Sequence, residues 1–489
     1  MDDKTGISGL DNVLGGGFAH GRLFLVEGSP GAGKTTIATQ FLVAGAAAGE
    51  RCLYITLSET EEELRAGAAS HGLALDGIDI YELLPPENLL DEEQQQSLLY
   101  SSDLELGETT KRIFEAFERT KPDRVVLDSL SEIRLLAQSS LRYRRQILAL
   151  KHYFAAQKAT VVMLDDLTSG ENDKTVHSIA HAVLRLDEFT PEYGAERRRL
   201  RVLKYRGRRV RGGHHDFKIV TGGVRVYPRL VSAEHKTEFT RDVLSTDSGE
   251  LNALLGGGVD RGSNVLVLGP AGTGKSLLTL TFVKTAVERG EAASMFIFDE
   301  EIGLLTQRAL GLGIDLQGMV DTGQLLLEPV DAAELTPGEF IARVRRCVEM
   351  KRARTVVIDS LNGYRAAMPG EQALELHMHE LLQFLNRQGV TTFLTVAQHG
   401  LVGDMQSPVD ITYLADSVIL LRYFEALGRV RRAMSVVKKR TGMHEETIRE
   451  YVIDGRGITL GAPLIEFQGV LRGAPTYVGK VSLLGEGGP

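Results

Sequence analysis

Cysteine is nearly absent from this chain. Cys52 and Cys347 are the only two in 489 residues, and they lie in different halves in apolar surroundings. Buried free thiols are therefore expected, and a disulfide framework, a zinc cluster and thiol redox chemistry are excluded. Proline is sparse at 14 residues, and no apolar run is long enough to span a bilayer. The opening Met1-Asp2-Asp3-Lys4 lacks the charge and hydropathy pattern of a signal peptide, so a cytoplasmic chain without membrane association is expected. Basic residues are outnumbered, 56 against 65 acidic, and the net charge of −9 argues against a surface devoted to nucleic acid. What is present, 43% apolar and 25% charged residues, suits an α/β protein with a sizeable core.

Two glycine-rich loops dominate the chain. Gly28-Ser29-Pro30-Gly31-Ala32-Gly33-Lys34-Thr35 and Gly269-Pro270-Ala271-Gly272-Thr273-Gly274-Lys275-Ser276 both fit G-x-x-x-x-G-K-[ST]. An offset of 241 residues carries Lys34 onto Lys275, Gly15-Gly16-Gly17 onto Gly256-Gly257-Gly258, and Glu59 onto Glu300, so the chain is a tandem duplication. The polar stretch from Val231 to Val243 reads as a linker. It divides the chain into residues 1–234 and 235–489.

Each half repeats one order of elements. Leu23-Phe24-Leu25-Val26 is a strand running into the first loop, and a helix follows from Thr35 to Ala48. Cys52 to Leu57 then delivers Ser58 and Glu59, and Arg124 to Leu127 delivers Asp128-Ser129. In the second half, Asn264 to Leu268 precedes the loop, Ser294 to Phe298 delivers Asp299-Glu300, and Thr355 to Ile358 delivers Asp359-Ser360. This pattern predicts two tandem RecA-like P-loop domains, each a mostly parallel sheet with helices on both faces. Leu83 to Leu106 reads as a surface excursion, and a helix from about Glu108 to Arg119 follows it. The runs Ala182 to Leu186, Leu200 to Tyr205 and Phe217 to Val220 read as an antiparallel extension, with a basic face created by Arg197, Arg198, Arg199 and Arg201.

The chemistry follows from residue type. Backbone N–H groups of each loop would cradle the phosphates of ATP, with Lys34 and Lys275 adding point charge. The hydroxyls of Thr35 and Ser276 would ligate Mg²⁺, held from outside by Asp128 and Asp359. Glu59, Asp299 and Glu300 end the strand beside each loop, where a carboxylate can deprotonate an attacking water or hydroxyl. The plainer alternative for Glu59 is a cap on the following helix, where Glu61, Glu62 and Glu63 also sit. His177 and His181 lack a third ligand and read as exposed helix residues, and His214-His215 as a turn.

The chain resembles the KaiC family of RecA-like ATPases over nearly its whole length. The residues that carry the resemblance are the two Leu-Gly-Gly-Gly turns, Asp128-Ser129-Leu130, Asp359-Ser360-Leu361, Leu203-Lys204-Tyr205-Arg206-Gly207, and Lys438-Lys439-Arg440 followed by His444-Glu445. The resemblance implies a two-tier homohexamer with ATP between neighbouring subunits, in which Lys204 with Arg206, and Lys438 with Arg440, reach the neighbour's terminal phosphate. It also implies serine/threonine autokinase activity in the second tier, with Thr412 as the phosphoacceptor, and signalling proteins as partners. This chain departs from the family pattern in three places. Ser58-Glu59 stands where two glutamates are usual, Thr412-Tyr413 replaces adjacent Ser-Thr, and the tail is short, which argues against a clock role. Two other readings remain open at this level. One is a DNA-handling recombinase or helicase paralogue, which single-stranded DNA should stimulate; the other is a scaffold that ATP assembles without phosphotransfer.

Overall fold

The computed structural model describes residues 2–83, 98–167, 175–331, 333–366, 374–398, 413–426, 428–455, 457–472 and 475–478. The chain separates into two compact units, Met1–Arg229 and Leu230–Pro489.

The strands of the first unit's main sheet are β1 Leu23–Gly28, β2 Cys52–Thr56, β3 Ile78–Glu82, β4 Arg124–Asp128, β5 Thr160–Asp165, β6 Ala182–Phe189, β7 Arg197–Tyr205, β8 His215–Val220 and β9 Gly223–Tyr227. They form one sheet in the order β3-β2-β4-β5-β1-β6-β7-β8-β9. The pairs from β3 to β6 are parallel and those from β6 to β9 antiparallel. The sequence pattern places the run from Ala182 in the antiparallel extension. In fact it pairs parallel with β1, Phe24 opposite Ala182, and the antiparallel extension begins one strand later. Strand direction is set by how the chain returns to the sheet, and a short apolar run does not record it.

The helices that bear on the site are α1 Lys34–Ala47, α2 Glu61–Ser70, α3 Leu98–Thr120, α4 Ser140–Ala156 and α5 Thr175–Ile179. Helix α3 starts ten residues earlier than its periodicity suggested, so the later part of the expected surface excursion is helical. Alternation along β1 explains the layering. Phe24 and Val26 enter a core that contains Ile37 and Phe41 of α1, while Leu23 and Leu25 enter a separate core with Ile147 and Leu150 of α4. Cys52 is buried, with its thiol against the Leu42 carbonyl, and burial pushes its pKa up to about 12, which leaves it inert.

The second unit repeats the plan with β10 Asn264–Gly269, α6 Lys275–Glu288, β11 Ala292–Ile297, β12 Leu325–Pro329, β13 Ala353–Asp359, α7 Leu374–Arg387, β14 Thr391–Ala397, β15 Ser417–Ala426, β16 Arg429–Lys439, β17 Arg449–Asp454 and β18 Gly457–Pro463. Its order, β12-β11-β13-β14-β10-β15-β16-β17-β18, is that of the first unit strand for strand. No described helix is long and apolar enough to cross a membrane.

Candidate nucleotide sites

Each glycine-rich loop joins a central parallel strand to the helix behind it, at the carboxyl end of the sheet where α/β sites lie. Gly33 and Gly274 precede the helices in left-handed conformations, φ 97° and 92°. A Cβ there would lie 2.9 Å from Ile219 Cδ1 in the first unit and 2.6 Å from Ile453 Cδ1 in the second. The left-handed turn thus calls for glycine, and a side chain there would also push the isoleucine tip beneath it aside.

Lys34 is buried, and its ammonium donates to the carbonyls of Gly28 and Ser29, both at 2.9 Å. Asp166, just past β5, lies 2.8 Å from the same nitrogen. Lys275 makes the matching bonds to Gly269 and Pro270 at 3.0 and 2.9 Å, and its burial lowers its pKa, an effect that Asp359 and Asp299 oppose.

Asp128 ends β4 and is almost fully buried. It accepts from Thr35 Oγ1 at 3.4 Å and from Tyr54 at 2.6 Å, and burial raises its pKa while the Tyr54 bond opposes the rise. A hydroxyl and a carboxylate held this close are hard oxygen donors of the kind Mg²⁺ takes, so the residues fit that ion. In the second unit Met295 replaces Tyr54, and Asp359 accepts instead from Thr395 Oγ1.

The structure separates Glu59 from the helix cap. The cap of α2 is Thr60, reciprocally bonded to Glu63, and in the second unit Glu301 caps its helix by accepting from Gly303 and Leu304. Glu59 is instead held by its backbone, which exchanges hydrogen bonds with Thr56 Oγ1. Among the described residues its carboxylate has no hydrogen-bond or ion-pair partner. It opens on a groove of about 420 Å³ lined by Thr35, Ser58 and His71. Desolvation, and then the charge of Asp128, raise its pKa. The second unit differs: Ser360 donates to Asp299, and Glu300 pairs with Arg308 at 2.8 Å.

The Lys-x-Arg pairs lie at the other end of the sheet. Tyr205 is level with Ala182 and so with Phe24 at the start of β1, four residues before Gly28 and about 13 Å away along the strand. Lys204 donates to the carbonyls of His177 and Ala180, and Arg206 to that of Ser178. Lys438 likewise is level with Val418 and Leu266. The residue between the two cations anchors each pair to the glycine triplet: Tyr205 donates to the Gly17 carbonyl and accepts from Ala19 N–H, and Lys439 donates to Leu255 and Gly258.

Several expectations need correction. The basic face of β7 is matched by acids: Arg198 meets Glu188 and Glu196, Arg199 meets Asp216, and Arg201 meets Asp187. These carboxylates come from the adjoining strands and turn, which removes most of the support for a nucleic-acid groove there. His177 is not an exposed helix residue; its Nε2 lies 2.6 Å from the buried Glu27. His181 lies beyond α5, and His215 is buried in β8, where Nδ1 accepts from Arg229 N–H. Thr412 lies outside the described residues; Tyr413 beside it is exposed.

The family described as "ATPase: KaiC" matches this chain twice, over residues 3–231 and 244–464. A protein named circadian clock protein KaiC3 from Synechocystis is 28% identical over 485 residues, covering 98% of this chain and 95% of its own. The circadian clock oscillator protein KaiC of Thermostichus vulcanus is 27% identical, covering 97% and 92%. The circadian clock protein KaiC2 of Synechocystis is 26% identical, covering 93% and 80%.

Proposed function

The chain belongs to the KaiC family of ATPases, and from that premise we propose that it hydrolyses Mg²⁺-ATP in a two-tier homohexamer, each nucleotide lying between neighbouring subunits. One observation carries the ring reading: in both units the Lys-x-Arg pair sits at the end of the sheet opposite its own phosphate loop. A cation about 13 Å along the strand from the loop cannot serve the phosphates bound there, so it serves a second subunit's.

In the first unit Lys34 and the loop N–H groups orient the phosphates, Thr35 and Asp128 hold the metal, and Glu59 takes the proton of the attacking water. Mg²⁺, when bound, neutralises charge that develops on the transferred phosphoryl group. Lys204 and Arg206 of the adjoining subunit complete that neutralisation. Of the two units the first has the freer base, because among the described residues Glu59 is unpaired whereas Glu300 is in an ion pair with Arg308.

The second unit binds ATP through Lys275, Ser276 and Asp359, and Asp299 with Glu300 activates either water or the hydroxyl of Thr412. Lys438 and Arg440 act there in trans. Together with the family resemblance, we read this as a non-clock signalling ATPase of the cytoplasm with autokinase activity, and its partners as signalling proteins. Native mass measurement with and without ATP, joined to phosphopeptide mapping, tests both parts. A sixfold mass with ATP and phosphate on Thr412 are expected. A monomer in saturating Mg²⁺-ATP would sink the ring, and unmodified Thr412 the autokinase alone.

Glu59 also gives a pH signature. A carboxyl whose folded pKa is raised favours its protonated form in the fold; it contributes stability below its unfolded pKa, and that contribution is lost as pH rises through the folded one. As a base it works only when ionised. The acidic limb of first-unit kcat/KM, which reports the free enzyme, should therefore fall above the ordinary glutamate value of 4.5. Glu59→Gln should abolish both the limb and first-unit turnover; an unchanged profile in that variant would exclude Glu59 as the base.

A further inference from the structure

We propose that the first unit carries a second anion site, for one phosphate or sulfate dianion, at the end of the sheet opposite its phosphate loop. A cavity of about 100 Å³ opens there between α4 and the starts of β1, β5 and β6. Small-molecule pockets begin near ~300 Å³, so this one admits a tetrahedral oxyanion and not a nucleotide. Apolar Leu23, Phe154, Val161 and Ile179 form part of its wall. Its polar groups are Arg22, Lys151, His181 and Arg206, and among the described residues no carboxylate lines it.

Like charges gathered against an apolar wall are costly unless an anion joins them. Lys151 spends one donor on the Ile179 carbonyl at 3.1 Å, and Arg206 bonds the Ser178 carbonyl, so both heads are held in place with donors to spare. Burial lowers the pKa of Lys151, with Arg206 and Arg22 adding to the effect, and His181 is lowered by burial and by Arg22, Arg206 and Lys204.

The duplicated unit is an internal control. Superposing the strand registers sets Ser263 at the position of Arg22 and Asp416 at that of His181, and the matching bonds that close α4 and α7, Ala159 N–H to Phe154 and Val390 N–H to Leu385, set Leu382 at that of Lys151. The backbone confirms the equivalence of His181 and Asp416, since His181 N–H bonds to Leu23 and Asp416 N–H to Asn264, while Arg206 and Arg440 N–H bond back to His181 and Asp416. Where the first unit keeps four cationic or ionisable bases together, the second keeps Arg440 alone and pairs it with Asp416 at 3.3 Å. The same fold therefore closes a charge-neutral corner in one unit and leaves an unmatched cationic one in the other.

The dianion has two sources: free inorganic phosphate, or the terminal phosphate of a nucleotide on an adjoining subunit. The cavity does not depend on the ring reading; the second source does rest on it, and Arg206 is the one lining group that reading also uses. The test is calorimetric titration of the full chain carrying Lys34→Ala and Lys275→Ala, so that neither phosphate loop competes, with sodium sulfate and with phosphate at constant ionic strength. One saturable site per chain is expected, weakened about tenfold by Lys151→Leu and again by His181→Asp, the residues of the second unit. Circular dichroism checks the fold, and Lys151→Gln replaces the leucine variant if that one fails to fold. No saturation beyond a chloride control, or saturation untouched by the folded variants, overturns the site and leaves an adventitious ion only. With the loops intact and a non-hydrolysable ATP analogue bound, loss of the sulfate titration assigns the site to the neighbour's terminal phosphate. A retained titration assigns it to free phosphate.

Discussion

Alanine at Lys34 is expected to weaken Mg²⁺-ATP binding at the first site by roughly a hundredfold, with the second site unchanged. The ammonium is buried and held in place by the Gly28 and Ser29 carbonyls, so only its contact with Asp166 has to be exchanged for one with a phosphate. A charge-assisted contact of that kind contributes about 3 kcal/mol, two decades in Kd. Removing it also leaves the Asp166 carboxylate, now 2.8 Å from the ammonium, facing the phosphates without its counter-ion. Lys275→Ala should do the same at the second site and, in addition, abolish any phosphate on Thr412. Equilibrium binding of a fluorescent ATP analogue to each single variant separates the sites. Loss at both sites from one substitution would mean that the two loops are not independent receptors.

The second large effect concerns the Lys-x-Arg pair. Lys204→Ala with Arg206→Ala should lower first-unit turnover by about a thousandfold while leaving KM nearly unchanged, because a cation that acts on transferred-phosphoryl charge works chiefly in the transition state. Carrying Asp299→Asn and Glu300→Gln in every subunit confines the readout to the first unit. The decisive step is mixing. Subunits lacking the pair keep an intact Glu59, and subunits with Glu59→Gln keep an intact pair, so mixed rings rebuild complete sites between them. Turnover that returns on mixing establishes action in trans; mixtures as silent as their parents would place the pair's role within its own chain, against the register of β6 and β7.

Much of this site was legible beforehand, and the reason is locality. Strand, glycine loop and helix occupy contiguous residues, so Lys34, Thr35, Lys275 and Ser276 are placed by the motif, and Asp128 and Asp359 by the apolar runs before them. The parallel pairing of β6 was not legible, because direction belongs to the path between strands. Nor was the neutralisation of Arg198, Arg199 and Arg201, whose acids lie on β6, on β8 and in the turn at Glu196. A run of arginines looks like a binding stripe until its cross-strand neighbours are known.

The two phosphate-gripping loops, their duplication and the carboxylates that follow them were determined by sequence alone, since each is a short-range pattern whose chemistry travels with its spacing. Tertiary structure decided what the difference between Ser58-Glu59 and Asp299-Glu300 does to each copy. It left Glu59 free while Arg308 engages Glu300, and it aimed each Lys-x-Arg pair away from its own loop. It also drew Arg22, Lys151, His181 and Arg206 from four separate stretches of chain to one cavity. Electrostatics acts through space, and only the folded sheet order sets which distant charges share a low-dielectric corner and which are cancelled.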